Sequence, residues 1–171
     1  MPNWCFNELS VRGRRDDVRE FLSMLDNMKD DSGFFQAIYP MPEELRGIAS
    51  PTRIVSEEEH QQYLDGKIKT FGGIPITARM QQELRRRFGA DNWYDWAVNN
   101  WGTKWDVHKN ELYRTDWKNG SGVTLTFDTA WGPPLKVIEK LSSKFPKLRF
   151  SINFNEPGMG CRGVQTYGPH D

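Results

Sequence analysis

Val123-Thr124-Leu125-Thr126-Phe127-Asp128-Thr129, followed at once by Ala130-Trp131-Gly132-Pro133-Pro134-Leu135, decides how this chain is read. Val123, Leu125 and Phe127 alternate with Thr124, Thr126 and Asp128, the period-two pattern of a strand with one buried face. The period then changes. Proline suits the first turn of a helix, and Leu135, Ile138, Leu141 and Phe145 recur at helical spacing until Pro146. Leu148, Phe150, Ile152 and Phe154 then alternate with Arg149, Ser151, Asn153 and Asn155, a second strand. The sequence here reads strand, helix, strand.

Working outward, a strand and a helix also stand at the start, without any internal repeat of sequence. Residues 4–12 read as a strand closed by Gly13, with Leu9 and Val11 on one face and Glu8 and Ser10 on the other. A helix follows. Asp17-x-x-Glu20 has the form of a capping box, and Val18, Phe21, Leu22, Leu25 and Met28 form an apolar stripe. Lys104–His108 reads as a further strand, Asn119-Gly120-Ser121-Gly122 as a turn, and Cys161–Tyr167 as an extra C-terminal edge strand. The expected fold class is α+β. Its core is a ferredoxin-like β-α-β-β-α-β arrangement, with two amphipathic helices on one face of an antiparallel sheet.

Residues 33–103 read as a mostly helical insertion, too aromatic for a disordered linker. The expected organisation is a single domain, residues 1–171, with its core at 1–32 and 104–171. Within the insertion, Phe34 to Tyr39 is short, apolar and irregular. Ser56-x-x-Glu59 predicts a helix ending near Gly66, and Thr77 caps one carrying Met80, Leu84 and Phe88 up to Gly89. Trp93, Trp96, Ala97 and Trp101 fall near one face of another.

Lys+Arg and Asp+Glu number 23 each, giving zero formal net charge. That disfavours a protein acting mainly as an electrostatic sponge for nucleic acid or anionic lipid. No apolar run approaches the roughly 20 residues needed to cross a membrane, and no export signal is read at the N-terminus. The expected location is therefore the cytoplasm, with Cys5 and Cys161 as free thiols.

The richest candidate site is the aromatic segment. Seven Trp residues are present, and Trp93, Trp96, Trp101, Lys104, Trp105, Asp106 and Trp131 are the candidate pocket or seam residues. Their structural reading is core packing between insertion and sheet. Their functional reading is an aromatic-walled pocket with Lys104 and Asp106 at its mouth. Arg79, Arg85, Arg86 and Arg87 form a basic helical patch, the alternative route to nucleic acid, and Arg12, Arg14 and Arg15 form another. The sheet face opposite the helices is expected to carry Glu8, Ser10, Thr124, Thr126, Asp128, Ser151, Asn153 and Asn155. Phe6 is read as its only aromatic, a poor platform for stacking bases.

No metal site and no cofactor is expected. His60, His108 and His170 are scattered, and neither cysteine has a Cys-x-x-Cys partner. Cys5 with His108 is the one thiol–imidazole option. Gly158-Met159-Gly160-Cys161-Arg162-Gly163 follows a strand but opens no helix, so it reads as a hairpin and not a phosphate loop.

Three stretches together resemble a known family: Met1-Pro2-Asn3-Trp4-Cys5-x-Asn7, Trp93-x-x-Trp96-x-x-x-x-Trp101-Gly102-Thr103-Lys104-Trp105-Asp106, and Thr129-Ala130-Trp131-Gly132-Pro133-Pro134. These are similar to the phage- and plasmid-borne YubB-type proteins with a ferredoxin-like domain. The resemblance spans nearly the whole chain and is weakest over residues 43–80. It implies a ferredoxin-like fold, a bacterial host cytoplasm and carriage on mobile elements. It implies no activity and transfers no catalytic residue. The expected role is a non-enzymatic module binding a host or mobile-element protein. A nucleic-acid accessory factor and a small enzyme with a site between insertion and sheet are the alternatives. Oligomeric state is left open.

Overall fold

The computed structural model describes residues 2–169. The chain forms two compact units. One runs to Pro40 and resumes at Asn100, and the other is Met41–Asn99. Residues 33–40 and 100–103, read from sequence as insertion, thus belong to the first unit.

The first unit is built on a sheet of five antiparallel strands: β1 (Trp4–Arg12), β4 (Tyr113–Asp116), β5 (Gly122–Ala130), β6 (Arg149–Glu156) and β7 (Cys161–Tyr167), ordered β4-β5-β1-β6-β7. The first four have the ferredoxin-like connectivity that the alternation predicts, and β7 adds the expected edge by hairpin to β6. Leu9 sits opposite Leu125 and Ile152, and Val11 opposite Val123 and Phe150, so one face is continuously apolar. Helix α1 (Arg15–Asp26) buries Val18, Phe21 and Leu25, and α6 (Leu135–Lys144) buries Val137, Ile138 and Leu141. Phe21 meets Phe145 and Phe150 edge-on at 5.4 and 6.0 Å.

Two local expectations are corrected. Asp17 does not cap α1. The helix starts at Arg15 with Arg14 at the cap position and no side-chain cap, and Asp17 lies in the first turn, 3.6 Å from the Lys147 ammonium. Lys104–His108 is not a strand. Its place in the ladder is taken by β4, whose four residues are all exposed and carry no alternation to read.

The segment 104–108 instead holds a short helix, α2 (Phe34–Ile38), in a stretch the sequence leaves irregular. The first four N–H groups of a helix, counted from the N-cap residue, lack intrahelical partners, and here those of Phe34, Phe35 and Gln36 find partners in the 106–107 segment. Phe34 N donates to Val107 O (2.8 Å), and Ala37 N makes the first intrahelical bond, to Gly33 O (3.1 Å). Phe35 N donates to Asp106 Oδ1 (2.7 Å) and Gln36 N to Asp106 Oδ2 (2.9 Å). Asp106 also accepts from its neighbour Val107 N at 2.7 Å. A carboxylate suits a helix N-terminus electrostatically as well. Once capped, α2 drives Phe34 and Phe35 into the core, where Phe35 lies 5.9 Å from Trp101 and 6.2 Å from Phe127.

In the second unit, β2 (Ile54–Val55) pairs in parallel with β3 (Ile76–Thr77). Helix α3 (Glu57–Leu64) is capped by Ser56, which accepts from Glu59 N at 3.1 Å. Helix α4 (Ala78–Phe88) is capped by Thr77 and stopped by Gly89 at φ +72°, as the sequence predicts. Helix α5 spans Trp93–Asn100.

Gly33 has no room for a side chain, because a Cβ there would lie 1.9 Å from Asp106 Oδ2. Gly33→Ala must therefore displace the carboxylate from its donors. We expect it to cost about 2–4 kcal/mol in urea denaturation, combining overpacking with weakened charge-assisted hydrogen bonds. Asp106→Asn, which keeps one acceptor oxygen, should cost less than Asp106→Ala.

Candidate functional site

The sheet face away from the helices carries the polar residues expected of it, but Phe6 is not its only aromatic. Trp4 shares Phe6's parity on β1, and Tyr113 sits opposite Thr126 on β4. At the other end of the face, the Trp117 indole donates to Thr124 Oγ1 at 3.0 Å. At the Trp4 end the face deepens into a cleft of about 540 Å³. Its walls include Trp4, Phe6, Trp105 and Tyr113, with Asp106, His108, Glu111, Thr126 and Asp128 among the polar groups.

The aromatic rings here are unusually open to solvent. Fractional exposure is 51% for Trp4, 47% for Phe6, 42% for Trp105, 70% for Tyr113 and, just outside the cleft, 56% for Trp131. Trp4 and Trp105 lie 6.1 Å apart with planes tilted at 41°. The Lys104 ammonium sits 3.9 Å from the Trp105 ring centroid and 5.3 Å from that of Trp131, both within cation–π range. Trp131 is also the one non-glycine residue with positive φ among the described residues, at 75°. That region is strained for a bulky side chain, at a cost of order 1–3 kcal/mol. Its backbone N donates to Asn3 O at 2.8 Å, which ties it to the chain entering β1.

Buried polar groups tie the chain together behind the cleft. Asn7 is fully buried and donates to Cys5 O (2.9 Å), Phe127 O (3.3 Å) and Thr129 Oγ1 (2.8 Å). The Thr129 hydroxyl in turn donates to Gly132 O at 2.7 Å, and Thr103 Oγ1 donates to Ala130 O at 2.9 Å. This stitching holds the Trp-Gly-Thr-Lys-Trp-Asp block to the end of β5. Burial pushes the Asp106 carboxyl above its ordinary range, against the pull of its three backbone donors.

The structure therefore divides the residues predicted for the site. Trp105 and Asp106 line the cleft, and Lys104 and Trp131 stand beside it. Asp106 is committed to capping. Trp101 is 4% exposed and its indole N–H donates to Tyr39 O at 2.9 Å, a core position. Trp93 and Trp96 belong to the second unit, where Trp96 is buried. Trp4 and Tyr113 were missed. The signal for Trp4 was present, since alternation from Glu8 back through Phe6 reaches it. Tyr113 had none.

The arginine patch is heavily paired. Arg79 lies 3.7 Å from Glu57, Arg85 2.7 Å from Asp91, Arg86 2.8 Å from Glu83 and Arg87 2.7 Å from Glu44. Asp91 is nearly fully buried. Burial raises its carboxyl, but hydrogen bonds from Thr52, Gln81, Asn92 and Arg85 outweigh this and hold it below the usual range.

Both cysteines are free, Cys5 buried and Cys161 exposed. Burial is the main cause that pushes the Cys5 thiol up to about 11, so it is a protonated thiol at neutral pH and a poor nucleophile. His60 Nδ1 lies 2.9 Å from Pro75 O, and His170 lies outside the described residues. Among the described residues, no three His, Cys, Asp or Glu side chains converge as a metal site, and no helix is long and apolar enough to cross a membrane.

Comparison with known proteins agrees with the sheet. The family model described as the ferredoxin-like domain in Api92-like protein matches residues 101–170, the stretch that contains β4 to β7. The crystal structure of protein api92 from Yersinia pseudotuberculosis is similar over 98% of this chain and 95% of that one, with a TM-score of 0.54 and 14% identity. At that identity the likeness concerns fold alone. No curated protein matches the chain.

Thiol titration with Ellman's reagent at pH 8 should find one fast-reacting group, Cys161, in the native protein and two in guanidinium. The folded chain holds the Cys5 proton more tightly than an unfolded chain, whose thiol ionises near 9.0. That stabilisation is complete below pH 9 and is lost as pH rises towards 11. Urea denaturation from pH 8 to pH 11 should show a decline that Cys5→Ala reduces.

Proposed function

We propose that the chain is a non-enzymatic protein-binding module that engages its partner through the aromatic cleft on the open sheet face. In line with the resemblance to phage- and plasmid-borne YubB-type proteins, the partner is a host or mobile-element protein in the bacterial cytoplasm. The observation that carries this reading is the gathering of four exposed aromatic side chains in one cleft. Exposed Trp and Tyr clusters are the usual anchors of protein interfaces. Buried aromatics would speak only for packing.

The alternatives draw less support. Exposed rings on a ferredoxin-like sheet are how RNA-recognition domains stack bases, and the corrected aromatic count brings this chain nearer to that pattern. However, the residues lining the cleft include Asp106, Glu111 and Asp128 and neither Lys nor Arg, and Lys104 beside it is already held against the Trp105 and Trp131 rings, so phosphates would meet more carboxylate than counter-charge. The arginine patch of α4 has its charge matched residue by residue. For an enzyme, the cleft offers no activated nucleophile, and the one thiol–imidazole option has its thiol held protonated.

Photo-crosslinking tests the proposal. With a benzophenone amino acid at position 113, irradiation in a bacterial host should give a discrete protein adduct that disappears in the Trp105→Ala variant. Adducts to nucleic acid, or a protein adduct indifferent to Trp105, would contradict it.

A further inference from the structure

We infer that the cleft takes an arginine side chain from a basic segment of the partner. This deepens, and rests on, the protein-binding reading above. The first ground is charge. The chain as a whole is neutral, yet the charged residues lining the cleft are Asp106, Glu111 and Asp128. They are not equally committed. Asp106 is held by three backbone donors, and Glu111 accepts from His108 N at 3.1 Å. The Asp128 side chain, exposed on β5 beside Phe6, makes no hydrogen bond or ion pair among the described residues. It is a free carboxylate set among aromatic rings, and its complement is a cation.

The second ground is the rings. A cation is attracted to an aromatic face, and this surface already realises that geometry internally, with Lys104 at 3.9 Å from Trp105. Lys104 and Trp4 brace the Trp105 ring, so binding need order little there. Between the two common cations, the planar guanidinium fits better. It stacks on rings and can bond a carboxylate through two N–H groups at once, which a compact, strongly hydrated ammonium cannot. The cleft, at about 540 Å³, also has room for the flanking backbone of an extended segment.

A random-peptide display selection on the full chain, counter-selected against Trp105→Ala, tests this. We expect recovered peptides to share an arginine. In the best synthetic peptide, replacing it with citrulline, which keeps the shape and removes the charge, should raise Kd at least tenfold. Asp128→Asn should raise Kd roughly three- to tenfold, in line with one charge-assisted contact. Asp128 and Tyr113 are exposed, so Asp128→Asn and Tyr113→Ala keep the test valid should Trp105→Ala fail to fold. Cleft-dependent peptides that lack a basic residue, or bind equally well as citrulline forms, would overturn the arginine inference and leave the protein-binding reading standing. If no selected peptide depends on Trp105, Tyr113 or Asp128, both fall.

Discussion

The Asp106 carboxylate is the constraint on which the cleft-bearing end of the ferredoxin-like unit depends. It accepts three backbone N–H groups, two of them from the start of a helix, 71 and 70 residues earlier in the chain. Burying a charge is costly unless it is hydrogen-bonded, and here the bonds double as a helix cap. The consequences run in both directions. On one side, α2 is fixed and inserts Phe34 and Phe35 beside Phe127 and Trp101. On the other, the backbone at 105–107 is pinned so that the Trp105 ring is left at the surface, next to Trp4. Gly33 completes the arrangement, because any Cβ would occupy the carboxylate's position.

This division explains how one short motif serves two ends. In Trp101-Gly102-Thr103-Lys104-Trp105-Asp106, alternate residues do different work. Trp101 and Thr103 are buried and tie the segment to Tyr39 and Ala130. Asp106 caps. Lys104 and Trp105 face outward as a stacked pair. Gly102, at φ +91°, supplies the turn, and a Cβ there would crowd the backbone at Pro133 and Leu135. The segment is neither wholly core nor wholly pocket, and this is why counting tryptophans could not decide between those readings.

Much of the fold was legible because its strands are one-sided. β5 and β6 each carry three apolar side chains at period two, β1 carries Leu9 and Val11, and the α1 and α6 stripes are equally regular. Two failures share a physical origin. Tyr113-Arg114-Thr115-Asp116 is an exposed edge strand, so burial imposes no alternation on it. Lys104–His108 mimics a strand because Trp105 and Val107 flank a polar residue. That residue, however, is turned towards a distant helix end. Local pattern also mistook the start of α1, where acidic residues in the first turn resemble a capping box. The site was half legible. Trp105 and Asp106 were in view, but the cleft exists only because β1 pairs with β5 across more than a hundred residues and β4 pairs beside it. That pairing brings Trp4, Phe6 and Tyr113 to the same place.

The central claim is that this end of the sheet is a preformed aromatic surface for a cationic side chain. Fluorine NMR of the chain labelled with 5-fluorotryptophan tests it most directly, by titration with arginine amide and, separately, with citrulline amide. The account predicts saturable shifts for the Trp4 and Trp105 signals with arginine amide alone, while the buried Trp96 and Trp101 signals stay fixed. Equal shifts with both compounds, or none at Trp4 and Trp105, would contradict it.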